Sequence, residues 1–211
     1  MRSTVRNAKR ERCRPPRAER SDEELLVEYR ETGERKAFEE LVRRYERELY
    51  SYLRQFLGDA QMAEDVFQST FLQVHLKCNQ FDASRRVRPW LYTVATNQAI
   101  DAQRRNRRHR MLSLDSQTED NSGKLADIVE SETAEPDHLL AAVEDTDDVR
   151  RAVDELPEMF RQVLLLVYYQ GLKYREAAEV LSIPVGTVKS RINAAIRKLE
   201  SLLPQQAASH D

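Results

Sequence analysis

Lys189, Ser190, Asn193 and Arg197 sit on or near one face of a helical stretch near the end of the chain, and Thr187 lies in its first turn. Arg and Lys suit guanine or phosphate, Asn can pair with adenine, and a hydroxyl among the free N–H groups of a helix start favours a phosphate. That chemistry reads a duplex edge and holds its backbone. A second set lies between residues 85 and 110. Asn97 and Asp101 are one helical turn apart with Gln98 beside them, behind Arg85, Arg86 and Arg88 and ahead of Arg104, Arg105, Arg107, Arg108 and Arg110. A polar patch between cations can take the Watson–Crick edge of an unstacked base while the arginines hold the flanking phosphates. The same residues also fit an ordinary solvated helix whose basic end is favoured by the helix dipole.

The first set needs a helix seated on another. Val188, Ile192, Ile196 and Leu199 recur at helical spacing and predict a buried face behind the polar one. Ahead of them, Tyr174–Leu181 reads as a helix in which Ala177 and Ala178 allow a close crossing. Pro184 lacks an N–H and restricts Ser182 and Ile183 before it, so the chain must turn there. Helix, turn and helix form the unit that places one helix in a major groove; a helical hairpin with a solvated basic face has the same pattern.

The second set needs a bundle. Ser21-Asp-Glu-Glu24 is a capping box for a short helix with Leu25, Leu26 and Tyr29 inward, closed near Gly33. Phe38, Leu41, Val42, Tyr45, Leu49, Tyr52, Leu53 and Phe56 keep a helical period up to Gly58. Asp59 can cap a third helix with a wide apolar face of Met62, Val66, Phe67, Thr70, Phe71, Val74 and Leu76. A fourth begins around Pro89 and runs through Trp90, Leu91, Val94, Ala95 and Ile100 into the arginine run. Trp90 beside Leu91 and Val94 reads as core packing rather than a wedge between bases.

In 211 residues, 33% are charged, with Gly 5 and Pro 7, which favours an all-α chain of two small helical domains. The formal net charge of -2 conceals segregation along the chain. Residues 1–20 carry Arg2, Arg6, Lys9, Arg10, Arg12, Arg14, Arg17 and Arg20 against Glu11 and Glu19, and read as a disordered basic arm. Residues 111–144 are acidic, from Asp115 and Glu119 to Glu144 against Lys124 alone, and read as a flexible linker. The expected organisation is therefore an arm over 1–20, a bundle over 21–110, a linker over 111–144, a helix-turn-helix domain over 145–203 and a tail over 204–211.

Several classes are disfavoured. Cys13 and Cys78 are lone thiols, and His75, His109 and His138 stand singly, so neither a metal site nor a cofactor is expected. Carboxylate groups such as Asp22, Glu23 and Glu24, or Glu64 and Asp65, fall in capping turns and on helix faces without His partners, which argues against a metal-dependent nuclease. No apolar run approaches the ~20 residues of a bilayer span and no apolar leader is evident, so the expected location is the cytoplasm, without membrane insertion.

Four segments together narrow the reading: Ala63-Glu-Asp-Val-Phe-Gln-Ser-Thr-Phe-Leu72, Arg88-Pro-Trp-Leu-Tyr-Thr-Val-Ala-Thr-Asn-Gln-Ala-Ile-Asp101, Leu156-Pro-Glu-Met-Phe-Arg-Gln-Val-Leu-Leu-Leu166 and Pro184-Val-Gly-Thr-Val-Lys-Ser-Arg191. In this combination the chain resembles the bacterial sigma factors of the extracytoplasmic-function group, over about residues 21–110 and 145–203. The resemblance implies sigma-two and sigma-four domains and a non-catalytic specificity subunit that directs core RNA polymerase to promoters. It implies that Glu64, Asp65 and Gln68 meet the clamp helices of the polymerase, with the flap as a further contact. It also implies that Asn97 receives a flipped base of the minus ten element, supported by Arg85, Arg86, Arg88, Asp101, Arg104, Arg105 and Arg108. Thr187, Lys189, Ser190, Arg191, Asn193 and Arg197 would then read the minus thirty-five element. By the same resemblance an anti-sigma protein is a partner, and the linker runs near the RNA exit route. A conventional helix-turn-helix regulator with a sensing or dimerising first domain is the alternative; it would bind duplex DNA without polymerase.

Overall fold

The computed structural model describes residue 16 and residues 19–113 and 147–203; the basic arm before Arg20 apart from Pro16 and Glu19, the acidic stretch from 114 to 146 and the 204–211 tail lie outside them. Within the described residues the chain is helical and has no strand. Helix α1 covers Asp22–Thr32 and α2 Arg35–Leu57. Helix α3 covers Ala60–Lys77, and α4 covers Val87–Ser113. After the acidic stretch come α5 (Asp147–Asp154), α6 (Glu158–Leu164), α7 (Tyr174–Leu181) and α8 (Val185–Leu202).

The helix ends have local causes. The Ser21 hydroxyl accepts from the Glu24 amide at 3.2 Å and the Glu24 carboxylate accepts from the Ser21 amide at 2.9 Å, which closes the capping box. Gly33 at φ 68° and Gly58 at φ 70° end α1 and α2 in the left-handed region. The Asp59 carboxylate accepts from the Met62 amide at 2.7 Å and starts α3. Helix α4 begins two residues earlier than Pro89, because the Val87 amide finds an acceptor in the Glu23 carboxylate at 3.0 Å.

The four N-terminal helices enclose Leu41, Tyr45, Leu49, Tyr52, Leu53 and Phe56 of α2, Ala63, Val66, Phe71 and Val74 of α3, and Leu91, Tyr92, Ala95 and Ala99 of α4. Two polar groups in this core are satisfied. The Tyr52 hydroxyl pairs with Thr96 at 2.8 Å, and Thr70 donates to the Val66 carbonyl at 2.7 Å, one turn back on α3. Leu76 departs from the expected face. It is 59% exposed, as is Leu72 at 56%, because two residues beyond Val74 a helix has turned by about 200° and points outward.

The second domain has its own small core of Val149, Ala152, Val153, Leu156, Leu164, Ala195 and Leu199. After α6 the backbone widens into a π turn over Leu165–Tyr169, with the Gln170 amide bonded to the Leu165 carbonyl at 3.0 Å. The bend between α7 and α8 uses Ser182 at φ 54°, and the Ile183 amide reaches back to the Ala178 carbonyl at 3.0 Å. A non-glycine residue therefore occupies the left-handed position of a Schellman closure. Pro184 then opens α8.

The two domains are packed on each other. Helix α4 lies against α7, the π turn touches α2, and one apolar cluster runs from Leu41 and Leu91 through Leu165 and Leu166 to Ala177, Val188 and Ile192.

Candidate nucleic-acid interface

Helix α8 presents its polar residues as the spacing predicts. Val188, Ile192, Ala195 and Leu199 are buried, which holds the helix against α6 and α7. Ala195 takes the innermost place expected for Ile196, which is half-buried; a methyl group fits the tight crossing better than a branched chain. Lys189, Ser190 and Arg197 are exposed, and Thr187, Arg191 and Asn193 are half-buried on the flanks. The Ser190 hydroxyl donates to the Thr187 carbonyl at 3.1 Å. Among the described residues, no ion pair involves Lys189, Arg191 or Arg197. The charges of Lys189 and Arg197 face solvent and are available to a polyanion.

Helix α4 is divided. Its outer half keeps Asn97, Asp101, Arg104, Arg105 and Arg108 exposed and Gln98 half-buried. Arg104 lies 3.8 Å from Asp101, and Arg105 Nε donates to the Asp101 carbonyl at 3.3 Å, both on an exposed surface where such contacts contribute little. Trp90 packs its ring on Phe81 with centroids 5.1 Å apart, which fits the reading of Trp90 as packing.

The inner half of α4 and the loop before it are engaged within the chain. Arg85 pairs with Glu179 of α7, while Arg86 is exposed. Arg88 donates to the Glu48 carboxylate at 2.6 Å and to the Gln170 carbonyl at 2.9 Å, and its guanidinium lies 5.3 Å from the Tyr92 ring centroid. The Tyr92 hydroxyl donates to the Gln170 side-chain oxygen. Burial, then the Glu48 charge, push the Tyr92 phenol well above its ordinary range, and Arg88 offsets part of this. Tyr92 is therefore a neutral donor. Burial is the largest single influence and works against the Arg88 charge, but the hydrogen-bonded Glu48 carboxylate together with Tyr92 and Tyr45 leaves the net shift upward.

A third surface lies on α3. Glu64, Asp65 and Gln68 are exposed, with Gln68 donating to Glu64 at 2.9 Å. Leu72 and Leu76 continue the same outer stripe at one-turn intervals, so an apolar ridge adjoins the polar patch. The ridge is hidden in the sequence because a leucine in a helix is expected inward; the four-residue spacing from Gln68 to Leu72 to Leu76 is the signal that reveals it. Gln170 is likewise hidden, because its position depends on the π turn.

The chain matches two family descriptions, sigma-70 region 2 over residues 41–109 and sigma-70 region 4 over residues 146–199. The ECF RNA polymerase sigma factor SigW of Bacillus subtilis (strain 168) is 31% identical over 169 residues, covering 79% of this chain and 90% of that one. The structure of CnrH in complex with the cytosolic domain of CnrY superposes with a TM-score of 0.59 at 25% identity, covering 86% of this chain and 96% of that chain. The sigma factor RpoE in complex with the anti-sigma factor NepR from Bartonella quintana shares the fold, with a TM-score of 0.61 at 23% identity over 81% of this chain and 99% of that one. With both regions matched and a relative at this identity along most of its length, the chain belongs to the extracytoplasmic-function sigma factors, the subunits that direct bacterial core RNA polymerase to promoters.

Proposed function

We propose that the three surfaces divide the work of promoter-specific initiation. The bundle over 21–110 docks on core polymerase through Glu64, Asp65 and Gln68, with Leu72 and Leu76 supplying apolar contact to the clamp helices. The outer half of α4 takes the melted minus ten strand, Asn97 receiving the flipped base and Asp101, Arg104, Arg105 and Arg108 holding the strand beside it. Arg86 serves the same strand, as do Arg85 once released from Glu179 and Arg88 once released from Glu48 and Gln170. The domain over 145–203, near the polymerase flap, reads the minus thirty-five element through Thr187, Lys189, Ser190, Arg191, Asn193 and Arg197. The linker over 111–144 connects the two. The chain catalyses nothing itself; polymerase does the chemistry, and the protein works in the cytoplasm where polymerase is. An anti-sigma protein is a partner on this reading, as in the RpoE structure.

The observation that carries the reading is α8, seated by Val188, Ile192, Ala195 and Leu199 with Lys189, Ser190 and Arg197 left in solvent. The test is run-off transcription with purified core polymerase on a genomic promoter library. Specific transcripts are expected with the chain present and none with core alone; their absence overturns the reading. Asn97→Ala should reduce promoter opening while core binding stays intact, and a loss of core binding would misplace the base pocket.

A further inference from the structure

We propose that Glu23 and Arg30 of α1 are positioning residues for the minus ten strand: they clasp the two ends of the loop over 82–86 and so fix the backbone from which its arginines reach the nucleic acid. The clasp rests on the contacts alone; its bearing on the strand rests on the site assignments above.

Helix α4 starts without a cap of its own. The first amides of a helix lack partners inside it, and the residue just before the helix commonly supplies an acceptor as Ser, Thr, Asp or Asn. Here that residue is Arg86, which has donors only and brings a positive charge to the positive end of the helix. Pro89 removes one of the unpaired amides, but the amide of Val87, a fully buried residue, still needs an acceptor. The Glu23 carboxylate provides it at 3.0 Å, from a different helix, and its negative charge suits that helix end. The capping position is thereby left to an exposed cation.

The other end of the loop is held by the same face of α1. Arg30 is seven residues after Glu23, two helical turns and about 10 Å along the axis, with buried Leu26 between them. Its guanidinium donates to the Phe81 carbonyl at 3.1 Å, and the Phe81 ring packs on Trp90. Phe81 and Val87 are buried, whereas every residue from 82 to 86 is exposed. Inside the loop the Asp82 carboxylate accepts from the Ser84 amide at 2.9 Å, and the Asp82 carbonyl accepts from the Arg85 amide at 2.9 Å, which closes a turn. An exposed loop pinned at both ends has already given up backbone freedom that strand binding would otherwise remove. The match to sigma-70 region 2 begins at residue 41, so this support comes from a helix ahead of the matched segment.

The test assembles holoenzyme from core polymerase and the full chain and titrates a fluorescent single strand carrying the minus ten sequence of a promoter found in the run-off library. Glu23→Ala should lower strand affinity by roughly 10-fold, and Arg30→Ala by roughly 5-fold, the effects of losing one hydrogen bond to a charged group. Glu23→Gln keeps an acceptor oxygen and should stay within about 3-fold of the unaltered chain. Co-elution with core and affinity for a duplex carrying the minus thirty-five element alone should not change in any variant. Hydrogen exchange over residues 82–88 of the free chain should quicken in both alanine variants. Unchanged exchange overturns the clasp, whatever the strand does. Strand affinity that is unmoved by Glu23→Ala, or as low in Glu23→Gln as in Glu23→Ala, overturns the positioning role, as does an equal loss of duplex and core binding. If exchange quickens but the unaltered holoenzyme prefers the strand no more than a scrambled one, the minus ten assignment fails, and the positioning role with it, while the clasp stands.

Discussion

The two helices assigned to DNA, α4 and α8, carry similar polar and basic residues but differ in how much of that chemistry is free. On α8 the apolar side is anchored and the charged side faces solvent, so Lys189 and Arg197 are ready for a duplex. On α4 the outer half with Asn97 and Asp101 is open, while Arg88 is bound by Glu48, Gln170 and the Tyr92 ring. Exposure along one helix is thus decided by what packs against it, and a basic residue near a helix start can serve the fold and the ligand by turns. The difference suits the two tasks, since a duplex element is always available to be read whereas a single strand exists only after melting.

Unseating α8 should have the largest effect on the contrast between the two helices. Ile192→Ala removes a fully buried side chain where α8 crosses its neighbours and should destabilise the second domain by about 2–5 kcal/mol. A thermal melt followed by circular dichroism should show a lower transition, and minus thirty-five recognition should go with it. A loss below about 0.5 kcal/mol would mean that α8 is not held by this core.

A finer test separates base contacts from phosphate contacts on α8. Arg197→Ala should weaken upstream-element recognition by about 1–3 kcal/mol and relax preference at one base position if the guanidinium pairs with a base edge. Competition binding by the assembled holoenzyme measures this, and an equal loss on every sequence would reassign Arg197 to the backbone.

The smallest expected effect concerns the bend that aims α8. Ser182 occupies a left-handed conformation at φ 54° that a side chain disfavours by about 1 kcal/mol. Ser182→Gly should raise the stability of the second domain by less than that, because glycine also gains freedom in the unfolded chain. A lower melting temperature would show that the serine side chain contributes more than the strain removes.

Much of this architecture is legible in the sequence because its helix ends are written in local chemistry. Ser21 with Glu24, Asp59, Gly33, Gly58 and Pro184 each satisfy or release backbone groups at a defined place, and the apolar period of α2 leaves little choice of face. What was not readable depends on rotation or on distant partners. Leu76 shares an apolar composition with the buried face but falls on the opposite side of the turn, and Ala195 outranks Ile196 only because α8 crosses so closely. The π turn moves Gln170 by about one residue around its axis with no local signature in Leu165–Tyr169. Its contact with Arg88 joins segments separated by the long acidic stretch, so no local pattern announces it.

On the proposed function the chain acts only when mounted on polymerase, through the outer stripe of α3. Gel filtration of the purified chain with core RNA polymerase measures it directly. The chain should co-elute with core, and Leu72→Asp, an exposed position that leaves the bundle folded, should abolish co-elution. Separate elution of the unaltered chain would mean that it does not dock on core, and undiminished co-elution of the Leu72→Asp variant would mean that docking uses another surface.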